Sequence, residues 1–253
     1  MTRRDAELLW DDTRLEAPHA QQDKADRVRR MFDAVAPSYE RINKIFSGGR
    51  DASWRRQSVR LAGVRADDTL LDVCTGTGDL ARTFADGRPR PRQICGCDFS
   101  AGMLARAVDR GATAVTWCQA DGMRLPFGDG AFSLVSCAFG VRNFQDLDAS
   151  LTEFLRILTP GGRAVILEFS RPRRRWVRWA YQLYSARLMP WAATWISGDR
   201  TGAYRYLPQS VLSFPDSAEM EERLRGAGFD RVESHRLTFG VVTVYVAWKG
   251  ASG

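Results

Sequence analysis

Leu70-Leu71-Asp72-Val73-Cys74-Thr75-Gly76-Thr77-Gly78-Asp79-Leu80-Ala81 carries the reading of this chain. Residues 70–73 read as a short buried strand. A G-x-G turn follows at Gly76 and Gly78, and residues 79–84 suit a helix. A strand that turns on glycines into a helix makes a ligand corner. The glycines let backbone N–H groups approach a polar or anionic group, and the helix N-terminus adds partial positive charge. Gly76, Gly78 and Ala81 also satisfy the loose dinucleotide fingerprint G-x-G-x-x-G/A, and a tight turn with no ligand has the same outline.

Two acids narrow the choice. Asp72 lies just ahead of the glycines, where a carboxylate can reach a ligand ammonium. Dinucleotides lack that group, whereas the methionine half of S-adenosylmethionine (SAM) has it. The next apolar segment, 92–97, ends on Asp98, and an acid at the end of the second strand suits ribose hydroxyls in either cofactor class. After the third strand, Asp121-Gly122 sets another acid at the carboxyl edge of the sheet. Asp121 can accept from an adenine amino group there, although Asp-Gly is also an ordinary turn pair. The fourth strand runs out through Ala138-Phe139-Gly140 to Arg142 and Asn143. Arginine cannot serve as an ordinary base. It can hold an oxyanion, cap a carbonyl or pair with an acid.

Strands are expected at 69–74, 92–98, 114–118, 132–138 and 162–169, with helices at 79–86, 100–110 and 146–158 between them. Pro160-Gly161-Gly162 reads as punctuation before the fifth strand. This alternation predicts an α/β unit with a parallel sheet and crossover helices. Ahead of the core at 69–170, residues 23–62 read as a helical cap. Val28, Met31, Phe32 and Val35 share one face of a helix ended by Pro37, and helices follow at 39–46 and 51–61. Residues 1–22 are polar and irregular and read as a flexible tail. Beyond the core come an Arg/Trp-rich insertion at 171–212 and a helix at 216–226. Two closing antiparallel strands, 229–237 and 240–248, finish a domain spanning 23–250.

Of 253 residues, 44% are hydrophobic, enough for a sizeable core. The five cysteines form no C-x-x-C pair and there are two histidines, so a metal site is not expected. Reduced thiols, a charged N-terminus and no apolar run of about 18 residues together suit a cytoplasmic protein without a spanning helix. The net charge of +7 admits nucleic acid, anionic lipid or an anionic substrate.

These residues resemble the ubiquinone/menaquinone biosynthesis C-methyltransferases of the UbiE/MenG type. The match rests on 39–54, 70–80, 119–127 and the run from Arg156-Ile157-Leu158-Thr159-Pro160-Gly161-Gly162 to Glu168-Phe169-Ser170. Phe139-Gly140-Val141-Arg142-Asn143 and Tyr204-Arg205-Tyr206-Leu207 also look like family segments, so the resemblance spans about 23–248. It implies a Rossmann-like class I SAM-dependent methyltransferase fold, with seven strands of which one is antiparallel. It also implies C-methylation of a polyprenylated quinol precursor such as demethylmenaquinol, with SAM as cofactor and no metal. Methylation of another small aromatic metabolite is the alternative. Thr77, Asp98, Asp121 and Gly122 would contact SAM by motif, beside Asp72, Gly76, Gly78, Phe99, Met103 and Ala138. Arg142 would stabilise a phenolate, Asn143 would orient the hydroxyl or a relay water, and Tyr39 would assist. His235, in a predicted strand away from these corners, reads as structural. The chain departs from the family pattern at Glu40, Ile42 and Asp51, where an acid, a methionine-type position and a histidine position are changed. Ala138 stands where a hydroxyl residue is common and offers no side-chain hydrogen bond.

A nicotinamide dehydrogenase would leave the Asp121 corner and the cap without a role. A non-catalytic nucleic-acid module would not need the acids at Asp72, Asp98 and Asp121, so no nucleic-acid partner is expected. Arg171, Arg173, Arg174, Arg175 and Arg178 interleave with Trp176 and Trp179, a composition suited to an anionic membrane surface. A solvated basic face with core tryptophans, or an RNA-binding surface, has the same composition. A homodimer is compatible with everything above.

Overall fold

The computed structural model describes residues 9–37, 39–111, 114–172 and 202–251. The basic segment from Arg173 onward, with its tryptophans, lies outside the described residues.

Seven strands form one sheet: β1 (Thr69–Val73), β2 (Gln93–Asp98), β3 (Thr116–Gln119), β4 (Phe132–Ala138), β5 (Leu158–Phe169), β6 (Arg231–Leu237) and β7 (Val242–Trp248). Their order is β3-β2-β1-β4-β5-β7-β6, and β7 alone runs against its neighbours. The chain starts at β1, steps outward to β3, then returns to β4 on the other side of β1. The crevice beyond the carboxyl ends of β1 and β4 is therefore the topological switch point, where open sheets of this kind bind ligands.

The strand alternation sorts side chains to two faces. Leu70, Leu134, Val165 and Val244 pack under α4 (Asp51–Leu61) and α5 (Asp79–Asp86). Leu71, Val135, Ile166 and Tyr245 pack under α7 (Leu147–Ile157) and α9 (Ser217–Gly226). A third cluster joins α1 (Asp12–Glu16), α2 (Lys24–Val35), α6 (Ala101–Asp109) and α8 (Ala203–Leu212), with α3 (Tyr39–Phe46) bringing Tyr39 against it.

Two expectations are corrected. β5 begins at Leu158, directly after α7, and Pro160-Gly161-Gly162 lies inside it. Phe132 pairs with Leu158 but Leu134 pairs with Arg163, so these residues are accommodated as an irregularity within the strand. The second correction concerns the tail. From Leu9 onward it is packed: Trp10 is fully buried and its ring stacks 4.2 Å from that of Tyr206 in α8. Asp11 caps α1 by accepting from the Arg14 N–H at 2.9 Å. A five-residue helix shows no usable periodicity, and the surface that buries Trp10 comes from far along the chain.

Trp10→Ala removes a fully buried aromatic side chain and should cost about 3–5 kcal/mol. Urea unfolding of the variant checks this; a loss below about 1 kcal/mol would mean that Trp10 contributes nothing to the fold.

Candidate active site

The glycine corner needs its glycines. Gly76 has φ +57° and Gly78 φ +83°, both in the left-handed region. Gly78 also starts α5, where a Cβ would stand 2.5 Å from the Trp117 ring. Two residues that are not glycine share this conformation at the switch point. Cys74, just past β1, has φ +53°, and Phe139, just past β4, has φ +57°. Strain of this kind persists where the surrounding structure imposes it, and it clusters at ligand sites.

Both acids sit at this corner. Asp72 is 1% exposed and accepts from the Thr75 hydroxyl at 2.7 Å and the Ser136 hydroxyl at 2.6 Å. Asp98 accepts from the backbone N–H of Gly76 at 2.8 Å and of Ser100 at 2.9 Å. Burial pushes each carboxyl up to about 6, against the hydrogen bonds that favour the charged form. Asp33 of α2 accepts from the Ser100 hydroxyl at 2.5 Å, joining the cap to the same corner.

Three small adjoining cavities meet at Phe139, each of about 30 Å³. Asp98, Phe99, Met103 and Ala138 line the first, with Phe32 and Tyr39 from the cap. Asp72, Thr77 and Asn43 line the second. The third is aromatic, with Trp54, Phe139 and Phe169 as walls and Arg142 at its edge. About 30 Å³ holds one water, so Tyr39 and Phe32 close the corner in this conformation. A Cβ at Gly76 would stand 3.9 Å from the Tyr39 ring, so this side of the turn is open apart from that ring.

Arg142 both caps a carbonyl and pairs with an acid. Its Nη1 donates to the Phe139 carbonyl at 2.6 Å and to Glu168 at 2.7 Å, and Glu168 is fully buried. Its guanidinium carbon lies 5.5 Å from the Phe169 ring centroid. The Nε remains without a partner among the described residues. Asn143 donates to the Phe139 carbonyl at 3.3 Å and accepts from the Tyr206 hydroxyl at 3.0 Å. Lys24, 2% exposed, donates to the carbonyls of Arg142 (3.0 Å) and Phe144. Burial and then Arg142 pull the Lys24 pKa down to about 8.

The structure thus brings together Tyr39, Asp72, Gly76, Thr77, Asp98, Phe99, Met103, Ala138, Arg142 and Asn143. It does not bring Asp121 or Gly122 to these cavities. Asp121 is exposed and accepts from the Met123 N–H at 2.9 Å, as an ordinary turn residue does. Gly122 is required sterically, since a Cβ there would meet the Phe144 ring at 2.5 Å. The Thr77 hydroxyl accepts from Arg110 at 3.2 Å. His235 sits in β6 at the sheet edge, as expected. Sequence reasoning missed Asn43, Cys74, Phe139 and the buried pair partner Glu168. A lone acid inside the apolar run of β5 was the available signal for Glu168.

Sheet order, switch-point corner and paired strand-end acids define a class I methyltransferase fold. A SAM-dependent methyltransferase of Thermotoga maritima superposes with TM-score 0.62 at 16% identity, covering 88% of this chain and 99% of that one. The ubiE/COQ5 methyltransferase family model matches residues 20–249, and the chain belongs to that family. It is 41% identical over 233 residues to the ubiquinone/menaquinone biosynthesis C-methyltransferase UbiE of Geobacter sulfurreducens, covering 90% of each. It is 42% identical over 219 residues to the demethylmenaquinone methyltransferase of Thermus thermophilus, covering 85% of this chain and 98% of that protein.

The donor set fits SAM. Asp98 suits a diol, Phe99 and Met103 offer an apolar wall, and the Gly76 turn leaves a cradle that a side chain would fill.

A carboxyl raised on folding is tolerated while protonated and costs stability once ionised. A rise from 3.8 to about 6 for Asp98 corresponds to up to about 3 kcal/mol. Wild type should therefore lose up to that amount relative to Asp98→Asn as pH rises from below 4 to above 6. Urea unfolding of both proteins across that range checks the sign. A gap that stays constant would mean the carboxyl titrates normally.

Proposed function

We propose that this chain transfers a methyl group from SAM to a ring carbon of a polyprenylated quinol precursor, demethylmenaquinol or a close relative. The aromatic cavity carries the reading. Trp54, Phe139 and Phe169 offer walls for a flat ring, Leu207, Pro208 and Val211 extend them with apolar surface, and the cavity adjoins the SAM side at Phe139. The names of the two relatives point to the same substrate class.

SAM, when bound, supplies a methyl group on a sulfonium that leaves by in-line displacement. Asp98, the Gly76 turn, Phe99 and Met103 hold it, with Asp72 behind the turn. A quinol ring carbon is a weak nucleophile while its hydroxyls are protonated. Loss of one proton places electron density on the carbon beside the oxygen. Arg142 holds that oxyanion. Burial works against its charge, but Glu168 and the Tyr206 and Tyr39 phenols leave its pKa above the usual value. Tyr39 is kept protonated, since burial raises its phenol, and serves as a donor rather than a base. Asn143, engaged at both ends of its amide, positions the loop and keeps one N–H for the cavity it lines. Once the carbon–methyl bond forms, with S-adenosylhomocysteine as the leaving group, the ring proton passes through a water to the ring oxygen, which restores both aromaticity and the hydroxyl.

Arg142→Ala alone would strand the buried Glu168, at about 3–5 kcal/mol. The sharper variant is Arg142→Met with Glu168→Gln. With labelled SAM and a panel of demethylquinols, wild type should yield the ring-methylated quinol by mass. The double variant should lose about 100- to 1,000-fold in kcat while keeping SAM affinity. Turnover near wild type would move the oxyanion role elsewhere.

The substrate's tail places the work at a bilayer. No described helix is long and apolar enough to cross one. The Arg/Trp run at 171–179, though largely outside the described residues, supports peripheral contact, at about 1 kcal/mol per basic residue near an anionic leaflet. Replacing Arg173, Arg174 and Arg175 with Ser should reduce binding to anionic vesicles and activity on long-tailed quinols. Activity on a short-tailed soluble analogue should hold. Equal loss of both activities would make the segment a structural lid.

A further inference from the structure

The surplus of basic residues is not confined to the insertion. A crevice of about 760 Å³ is lined by residues of α4 and α5, together with Arg88 and Arg110. Arg56 and Arg60 are one helical turn apart on α4 and both face it, as does Arg82 from α5. Six arginines line the crevice against two carboxylates, Asp79 and Asp86.

The arginines are not equally engaged. Arg55 pairs with Asp51 at 2.5 Å and Asp79 at 2.9 Å, and Arg110 with Asp79 at 2.7 Å and Glu40 at 2.9 Å. The other four have no carboxylate partner among the described residues. Arg82 donates to the carbonyls of Thr77 at 2.5 Å and Ala107 at 2.6 Å, and Arg88 to that of Gly87 at 2.7 Å. Arg110 also donates to the Thr77 carbonyl, at 3.4 Å, so two guanidiniums converge on one oxygen. The Nε of Arg82 is buried and unpartnered among the described residues. Like charges gathered in a concave surface, with donors to spare, form a field that an anion would complete. Arginine forks match phosphate oxygens in pairs, and no single small anion fills this volume.

We propose that this crevice is a binding site for a phosphate-bearing anion of two or more negative charges, with diphosphate as its simplest form. It is separate from the methyl-transfer cavities. It meets the SAM side through Arg55 and Asp79, which line both, and through Thr77, whose carbonyl accepts from Arg82 and Arg110. The same chemistry is presented by a soluble diphosphate ester and by a phospholipid headgroup.

Calorimetry on the full chain with inorganic pyrophosphate tests the site. One molecule should bind, more tightly than sulfate and more weakly at high salt. Arg56→Gln with Arg60→Gln, both exposed, should weaken binding at least about tenfold. Arg223→Gln with Arg225→Gln, an arginine pair on α9, should change it less than about twofold. Pyrophosphate should also protect Arg82 and Arg88 from phenylglyoxal, read by mass spectrometry. Melting curves establish that each variant folds. Phosphatidate vesicles separate the sources. Vesicle binding lost with Arg56 and Arg60 and displaced by pyrophosphate supports a lipid headgroup in the crevice. Vesicle binding indifferent to them, with pyrophosphate binding intact, supports a soluble ligand. Equal weakening by both double variants, or no preference for pyrophosphate over sulfate, overturns the proposal, because the attraction is then diffuse surface charge.

Discussion

A buried guanidinium and carboxylate hold the functional edge of this protein in place. Arg142 follows β4 and Glu168 lies near the end of β5; they meet at 2.7 Å with both side chains almost wholly out of water. Such a pair is tolerable only when its remaining donors and acceptors are met. The Phe139 carbonyl and the Phe169 N–H, the latter donating to Glu168 at 2.8 Å, meet most of them. Other elements then attach to the same loop. Lys24 of α2 donates to the Arg142 carbonyl, and Tyr206 of α8 donates to Asn143. Trp10 covers Tyr206 from the N-terminal side. Helices from both ends of the chain thus converge on the loop that faces the aromatic cavity.

That convergence has an electrostatic consequence. Lys24 and Arg142 are neighbouring buried cations, and His19 contacts Lys24 at 3.0 Å. Burial and the Lys24 charge hold His19 down to about 4, so it stays neutral and accepts or donates according to its tautomer. The opposite balance holds at the glycine corner. Burial draws Asp72 and Asp98 upward, and neighbouring acids add to it, Asp98 acting on Asp72 and Asp33 on Asp98. A ligand bearing an ammonium and hydroxyls would supply what the corner lacks. The Tyr39 and Phe32 rings line one cavity with Gly76 and Asp98, so the cap forms a wall of this corner.

Much of the fold was legible because it rests on local signals. Leu70 to Val73, Gly76 and Gly78 mark a strand, a turn and a helix whatever surrounds them, and the alternation that follows permits few topologies. The helices at 39–46 and 51–61 have the expected bounds because their apolar spacing and the glycines at 48 and 49 are local too. Pro160-Gly161-Gly162 misled for the same reason. Locally it is a break, and the ladder with β4 does shift register there, but Leu158 already pairs with Phe132, so the strand starts before the proline. At Asp121-Gly122 the structure shows a turn whose glycine makes room for Phe144.

By itself the sequence determined the sheet, the glycine corner, the two strand-end acids and the family, since each depends on spacing along one stretch of chain. Tertiary structure alone decided what Arg142 touches, that Trp10 belongs to the core, and that Cys74 and Phe139 adopt left-handed backbone at the switch point. It also decided that arginines from α4, from α5 and from the segments that follow α5 and α6 share one crevice. The physical reason is common to all of these. Burial, ion pairing and cavity shape are made by residues distant in sequence, and periodicity carries no record of which distant surfaces meet.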